Sequence, residues 1–415
     1  MVEHFFEKHS IDSFVFCWLF FQITTIDFVY KLLPNFFIPS FIMAVMPVIA
    51  SWLCILFELF EVIRCRYVHR DVVIFFVCVI GILLCSLFGN IFLQSVAFTS
   101  SFLVLITACI FLYTRKDIRH LFLHINVICM FSGMIVCVYA LSFTGSNYLE
   151  WENSYMAIGY SLSLCSLILF ECARINHKRI DSIMAIVFSV FILAFGNRGA
   201  FMVVIVYFGI RYTFLHENRI TTKKIILLLI GIALMLVISS FYEQIILFVT
   251  VTLRNMGISS RSFEKLLTHS FVQSIGRNEI YQKAFEIIKN NPITIRGPGY
   301  LTLVYINEHY QHTNAHNILL ELIVEYGCIL GIAIFLIILK VVIRSILLLR
   351  ENKMLENSIA VCLLIQSMVQ LSFSATFYSS NELWIGLVLT GILSRRKYFV
   401  QDSSIYKDDV LVKKD

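Results

Sequence analysis

Two arginines and one histidine in this 415-residue sequence are of types that could do chemistry together. Arg198 lies at a glycine-flanked turn between two apolar stretches, Arg277 begins an amphipathic stretch, and His316 directly precedes another apolar stretch. Guanidinium groups match phosphate oxygens bidentately, so two of them on one side of a membrane would suit a diphosphate. A neutral histidine beside them could take a proton from a hydroxyl group near neutral pH.

Each of these residues also has a plain structural interpretation. Arg198 could extend to lipid headgroups, Arg277 could be a solvated charge at a helix end, and His316 could be an ordinary interfacial histidine. Their combination at one membrane face favours a site for a lipid-linked sugar diphosphate. Other charged residues near predicted span ends, Glu171 among them, are expected at the membrane interface.

The composition identifies the kind of protein that must position these residues. The chain is 59% hydrophobic and 14% charged, whereas ordinary soluble domains are about 25% charged. This composition predicts an all-α polytopic membrane protein and excludes disordered, coiled-coil and disulfide-stapled secreted folds. Twelve transmembrane helices are predicted, at residues 13–30, 36–60, 71–88, 91–113, 121–143, 154–173, 180–196, 199–215, 224–242, 318–343, 355–373 and 381–394.

The distribution of basic residues predicts the orientation. Most of the 33 Lys and Arg residues fall in segments that share one side, and only Lys31 and Arg198 lie in short loops of the other. By the positive-inside rule both termini are cytoplasmic. The chain then divides into helices 1–9 (residues 1–242), a periplasmic loop between helices 9 and 10 (243–317), helices 10–12 (318–394) and a cytoplasmic tail (395–415).

The long loop contains one strong helix pattern. Residues 277–289 are amphipathic, with an apolar face of Ile280, Ala284, Phe285 and Ile288 that is expected to lie along the membrane surface. Asn291-Pro292 ends this helix and the segment 297–299 forms a turn. After the loop, an asparagine and two glutamates at positions 317, 321 and 325 share one helix face.

Other site classes find little support in the sequence. The basic residues are scattered between apolar runs rather than gathered on one face, which argues against nucleic acid as a partner. The twelve cysteines lie in predicted spans and short loops, where they form neither a disulfide framework nor a CxxC metal site. The long loop has no clustered carboxylates, so no metal site is predicted. No cleavable signal peptide is evident.

Two segments resemble the signatures of a known family. Residues 314–327, which contain His316, and residues 277–281 followed by 291–300 are similar to motifs of the O-antigen polymerase and O-antigen ligase superfamily. The turn around Arg198 matches the Arg-Gly hairpin of such proteins. Gly327 and Gly331 are one residue further apart than the usual pair, so helix packing after the histidine is expected to differ.

The resemblance implies a metal-independent glycosyltransferase, with no cofactor, in the bacterial inner membrane. Its donor and acceptor would be undecaprenyl-diphosphate-linked oligosaccharides on the periplasmic face. The family pattern implies that Arg198 and Arg277 hold the diphosphate and that His316 activates the acceptor hydroxyl. It also implies four candidate substrate-binding residues, which are Arg296, His312, Asn317 and Glu321.

The leading interpretation is a polymerase that joins lipid-linked repeat units into O-antigen or a related surface polysaccharide. The alternative within the family is a ligase that transfers the glycan to lipid A-core. Membrane lipid, a flippase and a chain-length regulator of the same pathway are the implied partners. From a different class, a lipid-linked-glycan flippase or transporter would concentrate polar groups at the span centres. Here the polar residues lie in the one long loop, which favours the enzyme.

Overall fold

A computed structural model describes residues 118–142, 148–194, 198–214, 277–308, 315–373 and 380–395, with isolated residues elsewhere. In these ranges the regular elements are all helical, which confirms the all-α class. The predicted spans before residue 118 and at 224–242 lie wholly or largely outside the described residues. The α-helices are α1 (Ile125–Ser142), α2 (Tyr148–Asn176), α3 (Arg179–Ala194), α4 (Arg198–Phe214), α5 (Arg277–Asn290), α6 (Tyr300–Asn307), α7 (Ile318–Glu351), α8 (Leu355–Phe373) and α9 (381–395).

Three of these helices are long and apolar enough to cross a membrane. The candidate stretches are Met156–Asn176 of α2, Ile318–Glu351 (all of α7, which bends at Gly327), and Leu355–Ser372 of α8. Shorter apolar stretches, Ile125–Leu141 and Gly199–Tyr212, make up most of α1 and α4. These helices support a membrane protein, and the total of twelve crossings stays a prediction.

Helix α2 is the centre of the bundle, whereas α7 lies at its edge. Helices α1, α3, α4 and α8 all pack against α2, and 78% of its apolar window is buried, compared with 22% for α7. Small polar side chains make this close packing possible. The Ser163 hydroxyl donates to Oε1 of Gln366 in α8 (2.6 Å), and the Gln366 amide donates to the Tyr160 carbonyl oxygen (2.8 Å).

A buried carboxylate joins three helices at one end of this bundle. Glu171 of α2 accepts hydrogen bonds from Tyr207 of α4 (2.5 Å) and Ser358 of α8 (2.8 Å). It also pairs with Arg174 and with Arg211. Glu171 is only 1% exposed, and its charge is compensated by arginines from α2 and α4. Its expected position at the membrane interface stays a prediction.

The Glu171 cluster fixes the direction of the helix that begins at Arg198. Tyr207 and Arg211 of α4 meet Ser358 near the start of α8 through the shared carboxylate. Helices α4 and α8 therefore run in opposite directions. Arg198 consequently lies toward the same end of the bundle as Phe373, the last residue of α8.

Helix α7 is not the single straight span that the hydropathy of residues 318–343 predicts. Gly327 has φ 77° and ψ 163°, which breaks the helix into a first segment (318–326) and a second segment (328–351). The first segment folds back so closely that a Cβ at Gly331 would overlap the Leu322 carbonyl group. The widened glycine pair thus has a physical reason: Gly327 makes the bend, and Gly331 lets the two segments touch.

Candidate active site

The first segment of α7 is a short helix held between two hydrophobic layers. One stripe, Ile318, Leu322 and Tyr326, belongs to a cluster with residues of α8, α9 and the second segment of α7. The opposite stripe, Leu320 and Val324, packs in a cluster with α5 and α6. This short helix therefore connects the membrane bundle to the helices of the preceding loop.

The residues before this helix place His316 in a constrained position. Asn317 is the N-cap, and its side-chain oxygen accepts from the amides of Leu319 (3.1 Å) and Leu320 (3.2 Å). His316 is 8% exposed and has φ 52°, a left-handed conformation that is uncommon for residues other than glycine. Exposed His177 shares this conformation (φ 56°), so it is the combination of a positive φ, burial and a place directly before a capped helix that distinguishes His316.

Two buried glutamates, one turn apart, extend from this helix in different directions. The Glu321 carboxylate accepts from the Phe377 amide (3.1 and 3.2 Å) in the connection between α8 and α9. Glu325 Oε1 accepts from the Gly299 amide (2.7 Å) at the start of α6. Both glutamates thus hold loops to the short helix, and Glu321 stays a prediction as a substrate contact.

Arg296 is buried, 9% exposed, between α5 and the bend of α7. Its guanidinium donates to backbone carbonyl oxygens and lies 5.6 Å from the Tyr300 ring centroid. The acceptors are Ile287 (3.3 Å), Asn291 (2.8 Å), Thr294 (3.3 Å) and Val324 (3.0 Å). These are the contacts of a residue that holds the fold, and the predicted contact of Arg296 with substrate stays a prediction.

Helix α5 confirms the predicted helix, but its apolar face is used differently. Ile280 and Ala284 are buried in the cluster that includes α6 and the first segment of α7, rather than lying on a membrane surface. Phe285 is 61% exposed and Ile288 is only partly buried. The predicted face therefore splits, because the neighbouring helices cover only the stripe through positions 280 and 284.

Tyr305 of α6 fixes the amino-terminal half of α5. Its hydroxyl donates to the Ile280 carbonyl oxygen (2.9 Å), and its ring packs against Tyr310 at 5.4 Å between centroids. Burial raises the pKa of the Tyr305 phenol well above its ordinary value, so it remains a donor at neutral pH. Tyr305 could not be singled out from the sequence, because an isolated tyrosine carries no distinguishing pattern.

The structure describes where the helices that carry the predicted site residues begin. Ile280, near the start of α5, and Ala315, next to His316, belong to one hydrophobic cluster. Helix α5 therefore begins, at Arg277, on the side of this cluster where His316 lies. Arg198 begins α4 toward the end of the bundle where Phe377 contacts Glu321. For both arginines only the backbone is described, and His312 lies outside the described residues.

Glu325 lies in the region of the candidate site, although no role was predicted for it from the sequence. It is fully buried, and its carbonyl oxygen accepts from the amides of Arg296 (2.7 Å) and Gly297 (3.0 Å). Its spacing from Glu321 was the available signal, since both share one helix face. Across the ranges that the structure describes, no three His, Cys, Asp or Glu side chains are grouped to hold a metal ion.

Comparison with known proteins supports the resemblance seen in the motifs. No curated protein matches the chain significantly. Residues 183–336 match the family described as O-Antigen ligase, and this segment includes Arg198, α5, α6, His316 and the bend of α7. This match supports an O-antigen ligase and polymerase type of assignment for the segment that it covers, and members of the matching family are glycan-transferring enzymes.

Proposed function

We propose that the protein is a polymerase that joins lipid-diphosphate-linked oligosaccharide units on the periplasmic face of the cytoplasmic membrane. The observation that carries this proposal is the junction at His316. A buried histidine with a left-handed backbone precedes a capped helix and lies on the side where α5 begins with Arg277. The family match covers all three features.

In this proposal the chain's own residues divide the work of one glycosyl transfer. His316 accepts the proton of an acceptor hydroxyl while that oxygen forms a bond to the anomeric carbon of the donor sugar. The bond from that carbon to the diphosphate breaks, and the lipid diphosphate leaves with the electron pair. Arg198 and Arg277 bind the diphosphate and stabilise its growing negative charge. Asn317 orients the start of the helix.

The proposal fixes which parts of the chain face which compartment. Residues 243–317 are periplasmic, and both termini are cytoplasmic with an even number of crossings. The donor and acceptor are then undecaprenyl-diphosphate-linked oligosaccharides, delivered by a flippase and limited in length by a regulator. Labelling of a cysteine introduced at Ser260 from the periplasm would support this arrangement, and labelling only from the cytoplasm would contradict it.

The test of the mechanism uses a substitution that keeps the backbone conformation. Asparagine tolerates left-handed φ values as histidine does, so His316→Asn removes the base with little added strain. With reconstituted protein and lipid-linked repeat units, we expect the rate to fall by about 10²–10⁴-fold, the usual contribution of a general base. The limb of the pH profile that reports protonation of the base should also disappear.

His177 provides the matched control for this experiment. It is the other non-glycine residue with positive φ among the described residues, at 56°, but it is exposed in the connection between α2 and α3. His177→Asn should leave the rate and the pH profile unchanged. Equal rates and pH profiles for His316→Asn and wild type would remove His316 from the mechanism.

The ligase is the second candidate, because the matching family is described as O-Antigen ligase. The same assay distinguishes the two activities through the acceptor. A polymerase extends a second lipid-diphosphate-linked glycan, whereas a ligase transfers the glycan only when lipid A-core is supplied. Growth of a ladder of repeat units without lipid A-core would support the polymerase.

A further inference from the structure

The turn that follows α5 exposes two isoleucines next to a completely buried stretch. Ile293 is 68% exposed and Ile295 is 46% exposed, whereas the segment 296–299 that follows is buried. We propose that this turn, residues 291–295, inserts Ile293 and Ile295 into the outer boundary of the lipid bilayer. The proposal concerns a lipid surface and does not rest on the glycosyl-transfer activity.

The turn is fixed rigidly to the bend of α7. The Cys328 amide donates to the Pro292 carbonyl oxygen (2.7 Å), and the Arg296 amide donates to the Glu325 carbonyl oxygen (2.7 Å). At Gly327 a Cβ would lie 2.6 Å from the Ile293 carbonyl oxygen. Ile293 therefore has a defined position against the residue at which the second segment of α7 begins.

From this bend to Leu339 the exposed side chains of α7 are apolar, and the exposed Lys340 follows. The second segment is roughly 36 Å long at 1.5 Å per residue, enough to cross a hydrocarbon core of about 30 Å. Its exposed apolar side chains include Ile329 (72%), Leu330 (40%), Ile332 (43%) and Ile337 (62%). An exposed apolar face of this kind on an edge helix suits lipid, and it starts beside Ile293.

Exposed carboxylates on α5 and next to α6 mark a surface that faces water. Lys283 of α5 pairs with Glu308 at 2.7 Å and with Glu286 at 3.6 Å, and the hydrogen bond to Glu308 raises the pKa of Lys283. Ile293 and Ile295 lie beside the exposed apolar face of α7, whereas the Lys283 group is charged. Bilayer lipid is therefore the occupant that fits the turn. The anchored turn would set the height of α5 and α6 above the membrane.

The test measures the depth of a tryptophan placed in the turn. Ile293→Trp and Ile295→Trp are each reconstituted in nanodiscs of phosphatidylcholine, with or without bromine on the acyl chains near the headgroup. Emission from the four native tryptophans is subtracted by using the parent protein. We expect brominated lipid to quench most of the added emission, and aqueous iodide to quench little of it.

Glu286→Trp is the matched control, since this exposed position of α5 belongs to the charged group. Its added emission should respond to iodide and not to brominated lipid. The proposal would be overturned if the added emission at both positions 293 and 295 responded as it does at position 286. Protection from iodide without quenching by brominated lipid would also overturn it, because another part of the protein would then cover the turn.

Discussion

The two ends of the helix bundle each contain a buried ion with several hydrogen-bond partners, but the two ions have opposite charge. At one end Glu171 is an anion that accepts from donors of α2, α4 and α8. At the other end Arg296 is a cation that donates to carbonyl oxygens of α5, the following turn and α7. Each ion joins segments that would otherwise be held together by hydrophobic packing alone.

The partners differ in charge and in sequence distance. Glu171 is paired with two arginines and connects residues from position 171 to position 358. Arg296 has neutral carbonyl partners between positions 287 and 324 and, among the described residues, forms no ion pair with a carboxylate. Glu171 is therefore stabilised by opposite charges, whereas the charge of Arg296 is stabilised by the dipoles of neutral carbonyl groups.

The largest effect expected from this comparison is that of Arg296→Met. Methionine keeps much of the volume but leaves the four carbonyl groups without their shared donor, which should destabilise the unit of α5 and α6 by about 3 kcal/mol or more. Hydrogen exchange of the α5 and α6 amides would measure this local loss. The exposed cation Lys289 in α5 gives the control, and Lys289→Met should change exchange little. Wild-type protection in Arg296→Met would show that the hydrogen bonds from Arg296 to the four carbonyl groups are not needed.

A smaller effect is expected at the opposite end. Glu171→Ala leaves Arg174 and Arg211 without their anion, but both arginines are partly exposed, so the cost should be about 2 kcal/mol. Glu171→Gln keeps an acceptor and should cost less. Thermal unfolding of the purified protein would measure both variants against Glu286→Ala, an exposed carboxylate.

The comparison predicts that the two variants differ in where they act. Glu171→Ala should lower the unfolding temperature of the bundle and leave hydrogen exchange in α5 and α6 normal. Arg296→Met should speed hydrogen exchange in α5 and α6 and leave the unfolding temperature of the bundle unchanged. If either variant lost protection equally in the bundle and in α5 and α6, the two ends would not be stabilised independently.

Much of the helical pattern was predictable from hydropathy. The predicted span 355–373 coincides with α8, and the amphipathic segment 277–289 differs from α5 by one residue. The turn at 297–299 also follows the sequence, because Gly297 and Gly299 adopt positive φ values. These features depend on local composition, which a sequence window contains.

The features that were not predictable depend on contacts between distant residues. Hydropathy records that residues 318–343 are apolar but not that the chain reverses direction at Gly327. An arginine in a polar loop suggests a ligand contact, and only the fold shows that carbonyl oxygens surround Arg296. Likewise only the fold shows the partners of Glu171, because they lie on α4 and α8.

The smallest effect that sharpens the comparison is at Asn317, where a polar side chain of the site end is also used by the fold. Its oxygen caps the first segment of α7 through two amides, so Asn317→Ala should cost about 1 kcal/mol. Serine is a good N-cap, and Asn317→Ser should keep both stability and turnover close to wild type. Activity of Asn317→Ala should fall far less than that of His316→Asn, because only the helix start is loosened. Measuring KM for the lipid-linked donor separates the helix-capping role of Asn317 from its predicted contact with substrate. A raised KM in an Asn317→Ser protein of normal stability would show that the side-chain amide of Asn317 contacts the substrate directly.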